Sequence, residues 1–242
     1  MKVVFHADGV LTQFEGWEGL REFDWEGYRE RYGNIQRLDR VLEAEGDSTD
    51  RYKLAKQADV LMLLFLLSRD ELRELLAGLG YQVSSEQLAR TVTYYLERTS
   101  HGSTLSGVVS AWVLARYEPE QAWQYLMQAL ESDIADVQGG TTAEGIHLGA
   151  MAGTVDIVLR CLTGMRARGP VLRFEPALPP KVKQLTFSVH YRGNRVDVEL
   201  TPDRLRLGSR PGGAQPIQVL VHDQLVELAP GQAREISLDR TP

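Results

Sequence analysis

The stretch Pro170-Val171-Leu172-Arg173-Phe174-Glu175-Pro176-Ala177-Leu178-Pro179-Pro180 divides this sequence into two parts with different periodicities. Beyond it, apolar residues recur at every second position: Leu185-Phe187-Val189-Tyr191, Val196-Val198-Leu200, Leu205-Leu207, Ile217-Val219-Val221 and Leu225-Glu227. Successive side chains on a strand face opposite ways, so alternation marks strands with one buried face. Arg192-Gly193-Asn194 and Val221-His222-Asp223-Gln224 read as hairpin turns between them. Residues 171–242 are expected to form a small antiparallel β-sandwich.

Before Pro170 the spacing is helical. Ser48 or Asp50 is placed to cap a helix running through Lys56 to Leu67, with Ala58, Leu61, Met62 and Phe65 on one face. Ser68-Arg69-Asp70-Glu71 and Ser84-Ser85-Glu86-Gln87 open the next two, the second with Leu88, Val92, Tyr95 and Leu96 as its apolar stripe. A helix from Ser103 or Thr104 carries Val108, Val109, Trp112 and Leu114. Another has Pro119 in its first turn and carries Trp123, Leu126, Met127 and Leu130. After Gly139-Gly140 a sixth runs from about Thr142 to Leu162, with small residues at Gly145, Gly149, Ala150, Ala152 and Gly153 for close approach of a helix or a ligand. Residues 1–49 read as irregular structure with short helices. The fold class is therefore mainly α with a C-terminal β-module. Residues 1–170 fit part of an (α/α)6 barrel better than a four-helix bundle. Such an open array leaves an apolar face exposed, a sign that something precedes it.

Composition narrows the function. Hydrophobic residues make up 43% and charged residues 25%, the balance of a soluble globular chain. The net charge of −6 is uneven: residues 171–242 carry ten Lys/Arg against eight Asp/Glu, so the acidic excess lies in residues 1–170. An acidic body without a Lys/Arg cluster argues against nucleic acid, whose phosphates need a basic surface. The longest apolar run, Val60 to Leu67, falls far short of the ~20 residues a bilayer requires, so no membrane partner is expected. Residues 1–8 lack the apolar core of a signal peptide. Cys161 is the sole cysteine, which excludes an internal disulfide and a cysteine-based metal site and suits a cytoplasmic location. No cluster has metal-ligand spacing, and no cofactor is expected.

Two loops carry the candidate chemistry: His101-Gly102-Ser103-Thr104-Leu105-Ser106, and Gly139-Gly140-Thr141-Thr142-Ala143-Glu144-Gly145-Ile146-His147. Each sets a histidine, small hydroxyls and glycine about a helix start, where backbone N–H groups without internal partners can hold an anion. Ser103 and Thr104 also suit plain helix caps, and the two roles are compatible. No carboxylate lies between Thr99 and Ser106 to repel a phosphate. His147 suits either a satisfied core position or a phosphate contact. Glu144 serves as a first-turn dipole partner, or as the base if the protein is a hydrolase. Gln13, Glu15 and Trp17 suit a sugar subsite or a buried aromatic cluster equally well. Asp133 and Asp136 read as solvated charges at a helix end.

The string Lys56-Gln57-Ala58-Asp59-Val60, the loop 101–106, and the segment Gly139 to Thr154 together resemble the C-terminal part of the glycoside hydrolase family 65 phosphorylases, which act on maltose, trehalose and kojibiose. Asp8-Gly9-Val10-Leu11 and Gln13-Phe14-Glu15-Gly16 resemble the segment before it, and Pro176-Ala177-Leu178-Pro179 the approach to the family's C-terminal β-sandwich. The resemblance covers essentially the whole chain. It implies phosphate attack on the anomeric carbon of an α-glucosyl disaccharide, giving β-glucose 1-phosphate and a sugar with inversion. It implies sugar hydroxyls on Lys56 and Gln57, and inorganic phosphate as co-substrate on His101, Ser103, Thr104 and His147. The family's general acid is a glutamate upstream of the matched region, so no catalytic residue is expected in this chain and the chain alone is expected to be inactive. A full-length form is expected to be a homodimer. An α-glucoside hydrolase of the same fold, and an inactive glycan-binding remnant or small subunit, are the rival readings.

Overall fold

The structure is a computed structural model that describes residues 2–57, 59–115, 118–135, 143, 145–167, 169–212 and 214–238. Two compact units emerge: Met1–Leu114 with Gln121–Thr154, and Ala115–Glu120 with Val155–Pro242.

The first unit is helical. Its described elements are α1 (Trp25–Tyr32), α2 (Leu38–Ala44), α3 (Asp59–Leu66), α4 (Arg69–Gly78), α5 (Ser85–Glu97), α6 (Thr104–Leu114) and most of α7 (Pro119–Glu131) and α8 (Leu148–Asp156). The capping boxes form as expected. Ser68 accepts the Glu71 backbone N–H while Glu71 accepts that of Ser68, and Ser84 and Gln87 repeat the exchange at α5. Leu72, Leu76, Val83 and Leu88 form one buried cluster beneath these helices. A second gathers Phe23, Ile35, Leu38, Leu42 and Leu54. Helix α6 is buried along most of its length, whereas α3, though apolar in sequence, buries Val60 and Leu61 and leaves Leu66 exposed; Phe65 meets Trp112 edge to face at 5.1 Å between them.

Two helix starts differ from expectation. Ser48 caps only the 3-10 turn Thr49–Arg51, because Tyr52 and Ala55 leave the helical path to bridge Arg21 and Thr99. Helix α3 therefore starts after Lys56-Gln57, which lie in a loop. Helix α8 starts at Leu148 rather than near Thr142, and a π-helical stretch, Ile157–Leu162, follows it directly. Trp17 is buried and donates its Nε1–H to the Tyr94 hydroxyl at 2.9 Å, so the aromatic-cluster reading holds for it. Ile134, Ile146 and Leu148 stand 86%, 70% and 75% exposed, so the helical unit does present apolar side chains at its surface. None of the helices among the described residues is long and apolar enough to cross a membrane.

The second unit is a β-sandwich. One sheet has the order β1 (Val171–Phe174), β5 (Ile217–Val221), β6 (Gln224–Leu228); the other has β2 (Leu185–Tyr191), β3 (Asn194–Leu200), β4 (Arg204–Ser209), β7 (Ala233–Ser237). Inward residues of both sheets, among them Phe174, Val198, Leu207 and Val219, fill one core. The expectation of a wholly antiparallel module needs one correction: β1 runs parallel to β5, with Leu172 opposite Val219. Two prolines bracket that short strand, and long separation from β5 leaves its direction free of any hairpin.

Just ahead of β1, Gly164 turns the chain at φ 63° against the Glu175 carbonyl, where any Cβ would collide with backbone. Gly164→Ala is expected to destabilise the sandwich by on the order of 3 kcal/mol, since left-handed strain and a backbone clash act together. Urea unfolding of the two proteins checks this, the midpoint falling with little change in slope.

Candidate functional site

Backbone pairing assembles the candidate site. The Ala55 N–H donates to the Arg98 carbonyl and the Ser100 N–H to the Ala55 carbonyl, both at 2.9 Å. This short parallel bridge sets the chain leading to α3 beside the chain leading to α6. Lys56 thereby lies against the 101–104 loop: a Cβ on Gly102 would stand 3.2 Å from Lys56 Cγ and would collide with the Gln36 carbonyl oxygen. Position 102 must be glycine for that approach. Lys56 is exposed and Gln57 half-buried, open enough for a ligand to reach both.

Helix α6 begins at Thr104, with Ser103 before it and the Ser106 N–H donating to the Ser103 carbonyl at 2.9 Å. Ser103 and Thr104 are half-buried at the helix end that presents N–H groups. His101 sits in the left-handed region at φ 54°. Its ring is clasped between two hydroxyls, Nδ1 2.8 Å from Ser106 Oγ and Nε2 3.2 Å from Tyr125 Oη. A hydroxyl both donates and accepts, so either neutral tautomer satisfies both contacts. Burial, assisted by the positive charge of Arg29, lowers the His101 pKa to about 4. The ring is therefore uncharged near neutrality, which leaves the role of a hydrogen-bonding strut for the loop rather than that of a cation.

His147 precedes α8 instead of lying one turn inside it. Its partner is Asp133, which the sequence presented as a solvated helix-end charge. The His147 backbone N–H donates to Asp133 Oδ2 at 2.9 Å and Nδ1 lies 2.5 Å from Oδ1. The hydrogen bond from His147 holds the Asp133 carboxyl below its usual range. An ionised carboxylate only accepts, so Nδ1 carries a proton and Nε2 is the ring nitrogen that Asp133 does not engage. No sequence pattern links positions fourteen apart across a break, which is why the pair was missed.

His101 also lines a cleft of about 270 Å³ in the helical unit, together with Gln36, Ser100 and Tyr125. Lys56, Gln57, Ser103, Thr104 and His147 are not among its walls. Pairing thus joins Lys56 to the 101–104 loop, while His147 is anchored separately through Asp133. Glu144, Asp136 and Gly139–Thr142 lie outside the described residues. No group of three or more His, Cys, Asp or Glu among the described residues is arranged to hold a metal ion.

Comparison with known proteins gives the assembly a context. Residues 1–156 match the glycosyl hydrolase family 65 central catalytic domain and residues 165–228 the family's C-terminal domain. The chain is 51% identical over 240 residues to a Mycobacterium tuberculosis protein named an uncharacterized glycosyl hydrolase, covering 99% of this chain and 18% of that protein. It is 34% identical over 232 residues to the trehalose 6-phosphate phosphorylase of Lactococcus lactis, covering 96% of this chain and 30% of the relative. A solved human-microbiome protein that carries a kojibiose phosphorylase name superposes with a TM-score of 0.72 at 20% identity, over 98% of this chain and 29% of that one, a likeness of fold. The chain thus spans less than a third of the length of these relatives.

Two measurements check this geometry. The depressed His101 pKa means the unfolded chain binds a proton that the folded chain refuses. Stability is full above about pH 6.5 and falls as pH drops toward 4, by up to about 3 kcal/mol. His101→Asn is expected to flatten that part of the urea-derived stability curve. In Asp133→Asn the amide oxygen is expected to keep accepting the His147 backbone N–H, which turns the NH2 toward Nδ1 as a donor and shifts the ring proton to Nε2. Imidazole 15N shifts report the exchange, and an unchanged tautomer would mean that Asp133 does not set it.

Proposed function

This chain belongs to glycosyl hydrolase family 65, and on that premise we propose that it supplies the sugar- and phosphate-binding half of an inverting α-glucoside phosphorylase. The observation that carries the reading is the Ala55–Thr99 bridge, which sets Lys56 against Gly102 and so brings a sugar-directed pair beside an anion-directed loop. Lys56 donates to glucosyl hydroxyls and Gln57 both donates and accepts, matching the mixed character of a sugar edge. Inorganic phosphate takes the Ser103 and Thr104 hydroxyls and the first N–H groups of α6, where peptide dipoles favour an anion. The His101 ring holds that loop, and His147 Nε2, oriented by Asp133, accepts from the P–OH of hydrogen phosphate.

In the reaction, a phosphate oxygen attacks the anomeric carbon from the face opposite the α-glycosidic bond. The bond to the leaving sugar breaks, its electron pair stays on the glycosidic oxygen, and that oxygen takes up a proton. The products are β-glucose 1-phosphate and a free sugar. Hydrolysis with inversion needs a base to activate water. Phosphate arrives already anionic, so a cradle of donors replaces the base. The proton donor is assigned to the portion of the relatives that this chain does not cover, a contribution worth about 10²–10⁴-fold. The names of the relatives suggest trehalose, trehalose 6-phosphate and kojibiose as the substrates to try.

Calorimetric titration of this chain with phosphate and with glucose, and 31P NMR of mixtures with each disaccharide, test the reading. Phosphate is expected to bind, the paired change Ser103→Ala and Thr104→Ala to weaken it about tenfold or more, and Lys56→Ala to weaken glucose similarly. No glucose 1-phosphate is expected from the chain alone. Turnover by the chain alone would place the proton donor within these residues, and phosphate affinity indifferent to Ser103 and Thr104 would remove the cradle.

A further inference from the structure

The cleft of about 270 Å³ that the His101 ring lines is not used by the reaction just described. One wall is a face of α7, where Gln121, Gln124 and Gln128 follow one another at helical spacing beside Tyr125. Opposite stand Trp25 and Arg29 of α1, with the guanidinium held 5.7 Å over the indole ring. Gln36 completes it, and its Oε1 is buried with no hydrogen-bond partner among the described residues.

The chemistry of these walls is selective. Every glutamine offers two donors and an acceptor, and the Tyr125 hydroxyl, one side of which already meets His101 Nε2, keeps an acceptor lone pair for a ligand, which matches a ligand made mostly of hydroxyl groups. None of the lining residues is acidic, and Arg29 is the lining residue with a fixed positive charge. Its field reaches the interior, since it contributes to keeping the His101 ring uncharged. The volume falls just below the ~300–1,000 Å³ of sites for drug-sized ligands, so the occupant is the size of one sugar ring. Rotation of the Gln36 side chain would turn its buried, unpartnered oxygen into the cleft, where such a hydroxyl would satisfy it.

We propose that this cleft is a second binding site, for a phosphorylated hexose, with the sugar hydroxyls on Gln36, Gln124, Gln128 and Tyr125 and the phosphate on Arg29. It stands on the cleft alone and does not depend on phosphorolysis.

The test uses glucose 6-phosphate as probe, with glucose and inorganic phosphate as separate arms, followed by calorimetry and by the side-chain amide signals of the full chain. Saturable binding of glucose 6-phosphate is expected, with shifts in the Gln124 and Gln128 amides. Gln124 and Gln128 are exposed on α7, so the double change Gln124→Ala and Gln128→Ala leaves the fold intact; it is expected to weaken binding about tenfold or more. Arg29→Gln is expected to erase the preference for glucose 6-phosphate over glucose. Lys56→Ala, which disables the proposed glucosyl subsite, is expected to leave this binding unchanged. Absence of saturation at millimolar ligand, or binding that Lys56→Ala abolishes and the glutamine changes do not touch, would overturn the second site. The phosphorylase reading has its own readouts at Ser103, Thr104 and Lys56, so failure of one leaves the other standing.

Discussion

Two backbone hydrogen bonds around Ala55 organise the helical unit of this protein. Without the pairing of residue 55 with residues 98 and 100, the loops before α3 and α6 would be independent surface turns. With it, Lys56 packs against Gly102, and Gly102 against the Gln36 carbonyl, so three distant stretches of chain meet with no room for a side chain. Arg98 reinforces the join from outside. Its guanidinium stacks 3.9 Å over the Tyr94 ring and pairs with Glu22, which also takes Lys53, so charged groups brace both partners of the bridge. Isolated exposed ion pairs contribute little, but a shared carboxylate spanning two segments limits how they can shift.

The two histidines singled out in the sequence end in different circumstances. His101 is drawn inward, clasped by hydroxyls and denied its charge by burial. His147 stays half-buried and is tethered by both its backbone and its ring to one carboxylate. One holds a loop and lines a cleft; the other keeps a ring nitrogen that its anchor does not use. The same residue type thus serves stiffness in one place and availability in the other, and the difference lies in the neighbours.

In the sandwich, alternation alone carried most of the result. Strands β2 to β6 follow the period-two segments closely, and the turns at Arg192-Gly193 and His222-Asp223 form with Arg192, Gly193 and His222 at positive φ. Strand β1 was hidden by its length and its flanking prolines, although Leu172 and Phe174 are both fully buried. Strand β7 was hidden because, of its five residues, Ile236 is the buried one.

The sequence by itself determined the elements and much of their punctuation: the change of period at Pro170, the capping boxes at Ser68 and Ser84, the start of α6 at Ser103 or Thr104, and the motifs of the family to which the chain belongs. Those features are local, written in spacing and in side chains that bond to their own backbone. Tertiary structure alone decided that Lys56 faces Gly102, that Asp133 holds His147, that His101 turns into a cleft shared with α1 and α7, and that β1 runs parallel to β5. Each of these depends on which distant segment supplies the partner. A hydrogen bond between remote residues leaves no period in the chain, and burial, which sets the charge of a histidine, exists only once the chain has folded around it.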